Sequence, residues 1–483
     1  MRSSHVRLGT PIIVGLFVAA ACTSAASPTP VVTSPAASPT SPPPVTTATP
    51  TSPSPAIATP EVTTPLAVAG AVDPTFGRDG FVTTDISGSG SEEHASTIAI
   101  DREGRIVVAG RSGPDEDEMD SLALARYDPD GRLDPSFGLG GIVTTAINGS
   151  ELVIDADGRI VIAGSMQSGE VPGGSDFAVA RYAADGSLDP TFGRGGLVTT
   201  DFRRKASLDA AHALTIDAEG RLVVAGSSAL WDRDQELGGT SSSDFALARY
   251  TADGSLDPTF GRGGLVKTHF SGAGGYDFGL AMAIDTDSRI VVAGSTRDGG
   301  GNPSPALARY GPDGALDRSF GNGGLVVTDV SRLGGDEGSE HGAIAIDAGG
   351  RIVAVLSDFG LARYDPDGTL DPTFGVDGLV TTDFSDGRGS DAVHAITFDT
   401  DRRIVVAGSS AVTGADFALA RYDPDGTLDP TFGEGGLVTT DFSDAGGHDI
   451  GWAIAIDADG RIVVAGETFA GSDSDFGLAR YYP

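Results

Sequence analysis

Three features of the sequence predict an all-β chain built from seven repeated units. The motif Arg-Ile-Val-Val-Ala-Gly recurs with small changes, at spacings from 52 residues (351 to 403) to 68 residues (221 to 289). Each repeat holds four short apolar or alternating segments bounded by Gly, Asp and Pro, which is typical of strands and turns. No segment shows a sustained helical period. The motif begins at Arg105, Arg159, Arg221, Arg289, Arg351, Arg403 and Arg461.

Four strands per repeat predict a seven-bladed β-propeller of four-stranded antiparallel blades rather than a solenoid. The unequal spacings would disturb a stacked coil, whereas blades accept them in their loops. In the last copy the strands are predicted at 453–457 (strand A, innermost), 461–466 (B) and 475–481 (C), after an outer strand D at 437–441. Strand A is small, strand B is apolar on both faces, and strand D alternates Val and Thr like a half-exposed edge.

The two ends of the repeat region predict how the ring closes. The region begins with a D-type segment at 81–85 and stops just after a C-type segment that ends at Tyr481. The N-terminal strand is therefore expected to complete the last blade, which removes an exposed sheet edge.

Composition excludes several classes of function. The 483 residues carry a formal charge of −35, which argues against nucleic acid, because phosphate binding needs clustered Lys and Arg. Lys205 and Lys267 are the only lysines. The single cysteine, Cys22, excludes intramolecular disulfides and Cys-cluster metal sites.

The N-terminal region is predicted to contain an export signal followed by a linker. Residues 1–21 have a basic start and a short apolar run, as an export signal does. Cys22 follows Ala19-Ala20-Ala21, which resembles a bacterial lipobox and predicts a lipid-anchored, exported protein. The alternative is cleavage after Ala26, with Cys22 discarded. Residues 22–70 form a linker rich in Pro, Thr, Ser and Ala, and residues 71–483 form the predicted propeller.

Three sequence motifs resemble those of a known repeat family. Asp-Ala-Asp-Gly-Arg-Ile-Val-Val-Ala-Gly, Asp-Phe-Ala-Leu-Ala-Arg-Tyr-Asp-Pro-Asp-Gly and Leu-Asp-Pro-Thr-Phe-Gly resemble bacterial delta-60 repeats over roughly residues 72–483. These repeats are thought to form propellers related to the NHL type. The resemblance implies a fold and a surface location, and it implies no activity.

Connection lengths separate two faces of the predicted ring. The A–B and C–D connections have constant length, whereas the B–C and D–A connections vary. A local function is therefore expected on the variable face. An acid stands there eight residues before the strand A aspartate in five copies. These acids could form a ring that holds a Ca²⁺-like ion, or each could cap the turn into strand A. They are Glu93, Asp209, Asp277, Asp391 and Asp449.

Histidines and aromatic residues mark the same face. His212 and His394 lie five residues before their strand A aspartates, and Trp452 takes that place in the last copy. The two histidines are expected nearly across the channel from each other, as lining residues or as a metal-binding pair. Trp231 and Tyr276 are further candidate contacts for a ligand. His94, His341 and His448 share no offset and are interpreted as loop residues.

The repeated strand C arginines indicate structure rather than catalysis. Seven copies of one Arg, each with an Asp nearby, predict an ion pair between neighbouring blades. They are Arg126, Arg181, Arg249, Arg309, Arg363, Arg421 and Arg480.

These observations predict a monomeric, lipid-anchored protein of the cell envelope or exterior that binds a protein or polysaccharide without catalysis. No catalytic residue and no cofactor are assigned, and Ca²⁺ stays a candidate ligand. Membrane contact is expected only through the anchor. The alternative is a channel-centred, metal-dependent hydrolase or lactonase-like enzyme that uses His212 and His394.

Overall fold

The computed structural model describes residues 68–483, with short gaps in the connections between strands. The described residues form strands and turns without a helix, so none of their segments is a helix that could cross a membrane. The predicted signal, Cys22 and the linker up to residue 67 lie outside the described residues. The gaps are 89–91, 114–120, 146, 169–173, 204–206, 233–238, 271–274, 298–302, 331–341, 357–358, 385–388, 412–413, 443–446 and 471–472.

Twenty-eight strands are present among the described residues, and they are of four types. The A strands are β2 (Glu92–Ile100), β6 (Asn148–Ile154), β10 (Ser207–Ile216), β14 (Tyr276–Ile284), β18 (Ile344–Ile346), β22 (Ser390–Phe398) and β26 (Asp449–Ile456). The B strands are β3 (Ile106–Gly113), β7 (Ile160–Gln167), β11 (Leu222–Asp232), β15 (Ile290–Arg297), β19 (Ile352–Leu356), β23 (Ile404–Ala411) and β27 (Ile462–Ala470). The C strands are β4 (Ser121–Tyr127), β8 (Ser175–Tyr182), β12 (Gly239–Tyr250), β16 (Ser304–Tyr310), β20 (Gly360–Tyr364), β24 (Ala415–Tyr422) and β28 (Asp473–Tyr481). The D strands are β1 (Phe81–Thr84), β5 (Ile142–Thr145), β9 (Leu197–Thr200), β13 (Leu265–Thr268), β17 (Leu325–Val327), β21 (Leu379–Thr381) and β25 (Leu437–Thr440).

Antiparallel pairing groups these strands into units of A, B, C and D, numbered 1 to 7 in the order of their A strands. Unit 1 is β2–β3–β4–β5, and the following units repeat this order. Unit 7 takes β26, β27 and β28 from the C-terminal end and β1 from the N-terminal end. In that pair Phe81 lies opposite Ala479 and Thr84 opposite Phe476, so the first strand lies beside the last, as the sequence predicts.

The B strands lie in the core, as their uniform apolar sequence predicts. In β27, Val463 and Val464 point to opposite faces of the sheet, and both have 0% exposure. A strand buried on both faces is covered on each side by another layer. The D strands alternate instead: in β25 the side chain of Thr439 is exposed and that of Thr440 is buried.

Six of the seven described A strands are longer than predicted and contain a β-bulge. In β26 the register shifts between Gly451 and Ala453, so Trp452 is the extra residue. The opposing glycine of the repeated motif makes this possible, because a Cβ at Gly466 would lie 1.8 Å from the carbonyl oxygen of Ile450. Unit 5 has Leu356 in place of that glycine, and its described A strand has three residues.

Six of the seven strand C arginines join neighbouring units, by a different contact from the predicted one; the exception is Arg421, whose Nη1 has no hydrogen-bond partner among the described residues. Arg249 Nε donates to Asp257 Oδ2 at 2.9 Å, and both residues belong to unit 3. The predicted ion pair between blades is therefore wrong: the pair lies within a unit. The link between units is a hydrogen bond from Arg249 Nη1 to the carbonyl of Pro312 in unit 4. The guanidinium also covers the ring of Phe260, 4.5 Å from its centroid.

The same link continues through the unit that combines both chain ends. Arg480 of β28 donates to Asp73 Oδ2 at 2.9 Å and to the carbonyl of Pro129 in unit 1 at 2.6 Å. Arg480 also stacks on Phe76 at 4.6 Å. The N-terminal segment thus supplies to Arg480 the Asp and Phe that other units take from their own C–D connection.

The A strands contact one another in sequence around the molecule. Each A strand contacts the A strand of the next unit, and β26 contacts β2. The starts of these strands, where the D–A connections arrive, carry the residues considered next.

Candidate functional site

The five predicted acids lie within or at the start of the A strands and accept backbone N–H groups. Asp209 Oδ2 accepts from Phe202 N at 3.0 Å, and Asp449 Oδ2 accepts from Phe442 N at 2.9 Å. Asp277 and Asp391 accept in the same way, each from the residue seven positions earlier. This is the geometry of the capping interpretation, in which the acid fixes the D–A connection.

Glu93 makes the same contact with its longer side chain. Its Oε2 accepts from Ile86 N, and its Oε1 accepts from the backbone N and the hydroxyl of Ser87, at 2.7 to 2.8 Å. Its side chain is buried. Glu93 and the aspartates therefore hold equivalent connections in different units.

The acids do not converge on one ring-shaped site; each belongs to the junction between two units. At four junctions an A-strand acid lies beside two other potential ligands, from strand C and from the end of strand D of the preceding unit. In each group the ligand atoms lie within 4.8 Å of one another. The groups are Asp85–Glu93–Asp475, Asp176–Asp201–Asp209, Asp244–His269–Asp277 and Asp416–Asp441–Asp449.

The junction between units 3 and 4 differs because it contains basic side chains. Here His269 replaces the third carboxylate, and its Nδ1 contacts Asp244 Oδ1. Arg203 and Lys267 also pair with Asp244 Oδ2. Burial raises the pKa of Asp244, whereas the charges of these three groups act to lower it.

A second cluster lies on the A strands of units 6, 7 and 1. Trp452 contacts the ring of His394 at a centroid distance of 3.9 Å and the ring of His94 at 4.6 Å. All three side chains are half-buried. The interpretation of His94 as a loop residue is wrong, since it lies in β2. The two A-strand bulges of units 6 and 7, at His394 and Trp452, bring these rings together.

The surroundings of this cluster shift the pKa values of its titratable side chains. Trp452 Nε1 donates to Glu467 Oε1 at 3.3 Å. Burial, together with the charge of Glu92, raises the pKa of Glu467 to about 7. Burial lowers the pKa of His394 to about 3, and burial with the charges of His394 and Arg111 lowers that of His94 to about 3. The imidazoles are therefore neutral at physiological pH, and the carboxyl group of Glu467 titrates near it.

His212 does not join this cluster. It is the bulge residue of β10 in unit 3, and its Nδ1 is buried without a hydrogen-bond partner among the described residues. Burial lowers its pKa to about 4. The structure therefore places His394 against Trp452 and His94 rather than in a pair with His212.

Sequence analysis missed Glu467 and Arg111. Both occupy the position directly after the repeated Ala-Gly, where four other copies have Ser165, Ser227, Ser295 and Ser409. Departure from the repeat at this position is the signal that would have found them.

The remaining candidates lie apart from the cluster. Tyr276 begins β14 and is half-buried, and His448 is exposed. The backbone of Trp231 lies in β11, but its side chain is outside the described part of the structure. His341 is also outside it.

Comparisons with known proteins agree with the repeat architecture. Seven segments match the model of a family described as a domain of unknown function (DUF5122) β-propeller. The segments are 104–137, 156–192, 237–260, 286–320, 346–374, 400–432 and 458–483. No curated protein matches the chain significantly.

Solved structures give remote similarities. One is a catalytically inactive virginiamycin B lyase from Staphylococcus aureus with quinupristin, at 12% identity and a TM-score of 0.46 over 83% of this chain and 98% of that one. Another is a protein of unknown function from Dyadobacter fermentans, at 11% identity and a TM-score of 0.40 over 83% and 98%. A third is an ulvan lyase, at 13% identity and a TM-score of 0.44 over 72% and 80%. These similarities are too remote to support an inference about function.

One match falls within each of the seven copies of the A–B–C–D unit. They also agree with the resemblance to delta-60 repeats drawn from the motifs. The chain belongs to the DUF5122 β-propeller family.

Proposed function

We propose that the protein is an exported, lipid-anchored, seven-bladed propeller that binds a surface polysaccharide or protein without catalysis. The closed ring is supported by the continuous contacts among A strands and by the Arg480–Asp73 pair across the chain ends. The anchor is supported by the position of Cys22 after an apolar run. Incorporation of labelled palmitate by the wild-type chain, lost in Cys22→Ser, tests the anchor. Unlabelled wild-type protein would refute it.

The binding site is the inner-strand cluster of His94, His394, Trp452 and Glu467. The observation that carries this proposal is the concentration of departures from the repeat in three adjacent units. Scaffold residues recur around the molecule, whereas these side chains differ from copy to copy. A half-buried Trp flanked by neutral imidazoles offers an apolar surface, and Glu467 adds a polar group that can orient a ligand.

The test compares two residues at equivalent bulges. Envelope polysaccharides and surface proteins of the producing cell are immobilised, and binding of wild type, Trp452→Ala and His212→Ala is measured. Trp452→Ala should lose binding, because it removes the ring that joins His94 and His394. His212→Ala should bind like wild type, since His212 lies outside the cluster. Equal binding by all three variants would contradict the proposed site.

A second candidate function is hydrolysis at the same cluster, and Glu467 favours it. A carboxyl group with a pKa of about 7 suits a general acid or base near neutral pH. Hydrolysis of lactone and ester substrates by wild type, abolished in Glu467→Gln while ligand binding persists, would favour the enzyme. Binding without turnover in the wild type would favour the scaffold.

A further inference from the structure

We propose that a cleft between units 5 and 6 binds a small ligand that joins a carboxylate to an apolar group the size of a benzene ring. Three arginines line this cleft, Arg351 and Arg363 of unit 5 and Arg402 of unit 6. It lies on the face of the A–B and C–D connections and shares no residue with the inner-strand cluster. The inference therefore does not depend on the proposed binding function.

Part of the lining of the cleft is apolar. It includes the buried side chains of Val353 and Ile404 and the half-buried ring of Phe398. The other six units have Ile where unit 6 has Phe398. The cavity has a volume of about 120 Å³, and an apolar cavity of about 150 Å³ admits benzene. The cleft can therefore accept a small ring or a short branched chain.

Arg402 departs from the repeat and has no counter-charge. Five other units have Gly at this position of the A–B turn, and unit 4 has Ser288. Arg402 has a φ of 67°, in the left-handed region that favours glycine, so glycine would form this turn with less strain. The residue is exposed, and its guanidinium makes no ion pair or hydrogen bond with any described residue.

Arg351 is paired with fewer acids than the equivalent arginines are. In the other six units this arginine pairs with the acid two positions before it, as Arg289 does with Asp287 at 3.0 Å. Unit 5 has Gly349 at that position, and Arg351 pairs only with Asp347, through Nε at 2.7 Å. Among the described residues its two Nη groups have no partner. Its side chain is 39% exposed, so these groups can reach a ligand.

Arg351 and Arg402 face the same cleft from neighbouring units. The equivalent positions at the junction of units 4 and 5 are Arg289 and Gly350, and a Cβ on that glycine would lie 3.9 Å from Arg289 Nη2. A side chain at this turn position thus begins beside the arginine of the preceding unit. Two guanidinium groups in one cleft repel each other, whereas a carboxylate between them accepts charge-assisted hydrogen bonds from both.

Three departures from the repeat meet around this one cavity. Arg402 adds a positive charge, Gly349 removes an acid, and Phe398 adds an aromatic ring. Arg363 is present in the lining as well, but its donors are used by Asp371 at 2.8 Å and by the carbonyl of Pro424. The departures all favour an anion with an apolar body, and by sequence no other junction combines them.

The experiment titrates the full chain with sodium benzoate and measures binding by calorimetry. Wild type should bind one benzoate per chain with a Kd of about 1 mM or lower, and added NaCl should weaken the binding. Benzamide keeps the ring without the charge, and acetate keeps the charge without the ring. Each should bind at least about tenfold more weakly, because each lacks one of the two contacts. Equal affinity for benzamide or for acetate would contradict the proposal.

Three variants separate the cleft from general charge effects. Arg402→Gly restores the turn of the repeat, so it should keep or raise the Tm and lower benzoate affinity at least about tenfold. Gly349→Asp supplies the missing acid to Arg351 and should also weaken binding. Arg102→Ala removes an exposed arginine from the A–B turn of unit 1, with the same change in net charge, and should bind like wild type.

Two results would overturn the proposal. One is wild type without saturable binding at about 10 mM benzoate, tenfold above the expected limit of the Kd. The other is wild-type affinity for benzoate in Arg402→Gly.

Discussion

The C–D connections and the starts of the A strands use similar residues in opposite ways. At the C–D connections each buried acid is matched by an arginine: Asp257 pairs with Arg249 at 2.9 Å, and the arginine stacks on Phe260. At the junctions between units the strand A acids lie near acids of the preceding unit, as Asp449 does near Asp416 of strand C. The comparison teaches that repetition of a charged residue indicates structure where its counter-charge repeats with it. At the unit junctions the repeated acid accepts a backbone N–H group instead, and this contact also indicates structure.

The largest expected effect comes from removing the N-terminal copy of the Arg–Asp–Phe contact. A chain that starts at Ser87 lacks Asp73, Phe76 and β1, so Arg480 loses its partner and β28 becomes an open edge. We expect aggregation and loss of cooperative unfolding, measured by size-exclusion chromatography and thermal melts. A chain that starts at Val68 is the control and should remain folded and soluble. Equal stability of the two chains would show that the two ends are independent.

The next effect comes from breaking one ion pair of the C–D side. Asp257→Ala leaves the buried Arg249 guanidinium without its carboxylate, and loss of one partner of a buried pair costs about 3–5 kcal/mol of unfolding free energy. Urea denaturation measures this loss. Arg132→Ala breaks the exposed pair with Asp130 and should change stability by about 1 kcal/mol or less. A similar loss of unfolding free energy in both variants would mean that the buried ion pairs of the C–D connections contribute little to stability.

A smaller effect is expected from a hydrogen bond between units. The hydroxyl of the buried Tyr310 in unit 4 donates to Thr268 Oγ1 in unit 3 at 2.8 Å. Thr268→Val leaves that hydroxyl unsatisfied and should cost about 1–3 kcal/mol in urea denaturation. Thr268→Ser retains the acceptor and is the matched control. If valine and serine have the same effect, the hydroxyl contact does not contribute to the joining of units.

The smallest effect concerns pH at the inner-strand cluster. The pKa of Glu467 is raised from 4.5 to about 7, so the folded state binds more protons than the unfolded state between these values. Stability should therefore fall as pH rises through this window. Glu467→Gln should flatten that part of the profile and gain stability relative to wild type at pH 8. Parallel profiles for the two proteins between pH 4 and 8 would show that the carboxyl group is ionised throughout.

Much of the fold could be predicted from the sequence, because period, strand pattern and turn residues recur in every copy. The four strand types and the pairing of 81–84 with β28 followed from counting segments. The extent of the A strands did not, since a β-bulge interrupts the alternation on which strand prediction depends. Gly466 was the available signal: only a residue without a Cβ permits the approach of the Ile450 carbonyl.

The site was predicted less well, for a physical reason. The distance in sequence from the strand A aspartate identified His394 and Trp452 as equivalent positions of the repeat. In the fold, however, residues at non-equivalent positions of neighbouring units also come into contact. His94 lies two residues before the bulge of its own strand and still reaches Trp452 of unit 7. The acidic groups combine three strands of two units, so no single copy of the repeat contains one of them.

Joining the two chain ends by a covalent bond tests the ring most directly. Ala71 and Tyr482 lie side by side, since Tyr482 N donates to the carbonyl of Ala71 and Gly70 N donates to the carbonyl of Tyr482, both at 2.9 Å. In a chain with Cys22→Ser, the double variant Ala71→Cys/Tyr482→Cys should lose both free thiols on mild oxidation of the folded protein and migrate as a cross-linked monomer. The same chain in denaturant should cross-link far more slowly. Two thiols that stay reactive in the folded, oxidised protein would contradict the closed seven-bladed ring.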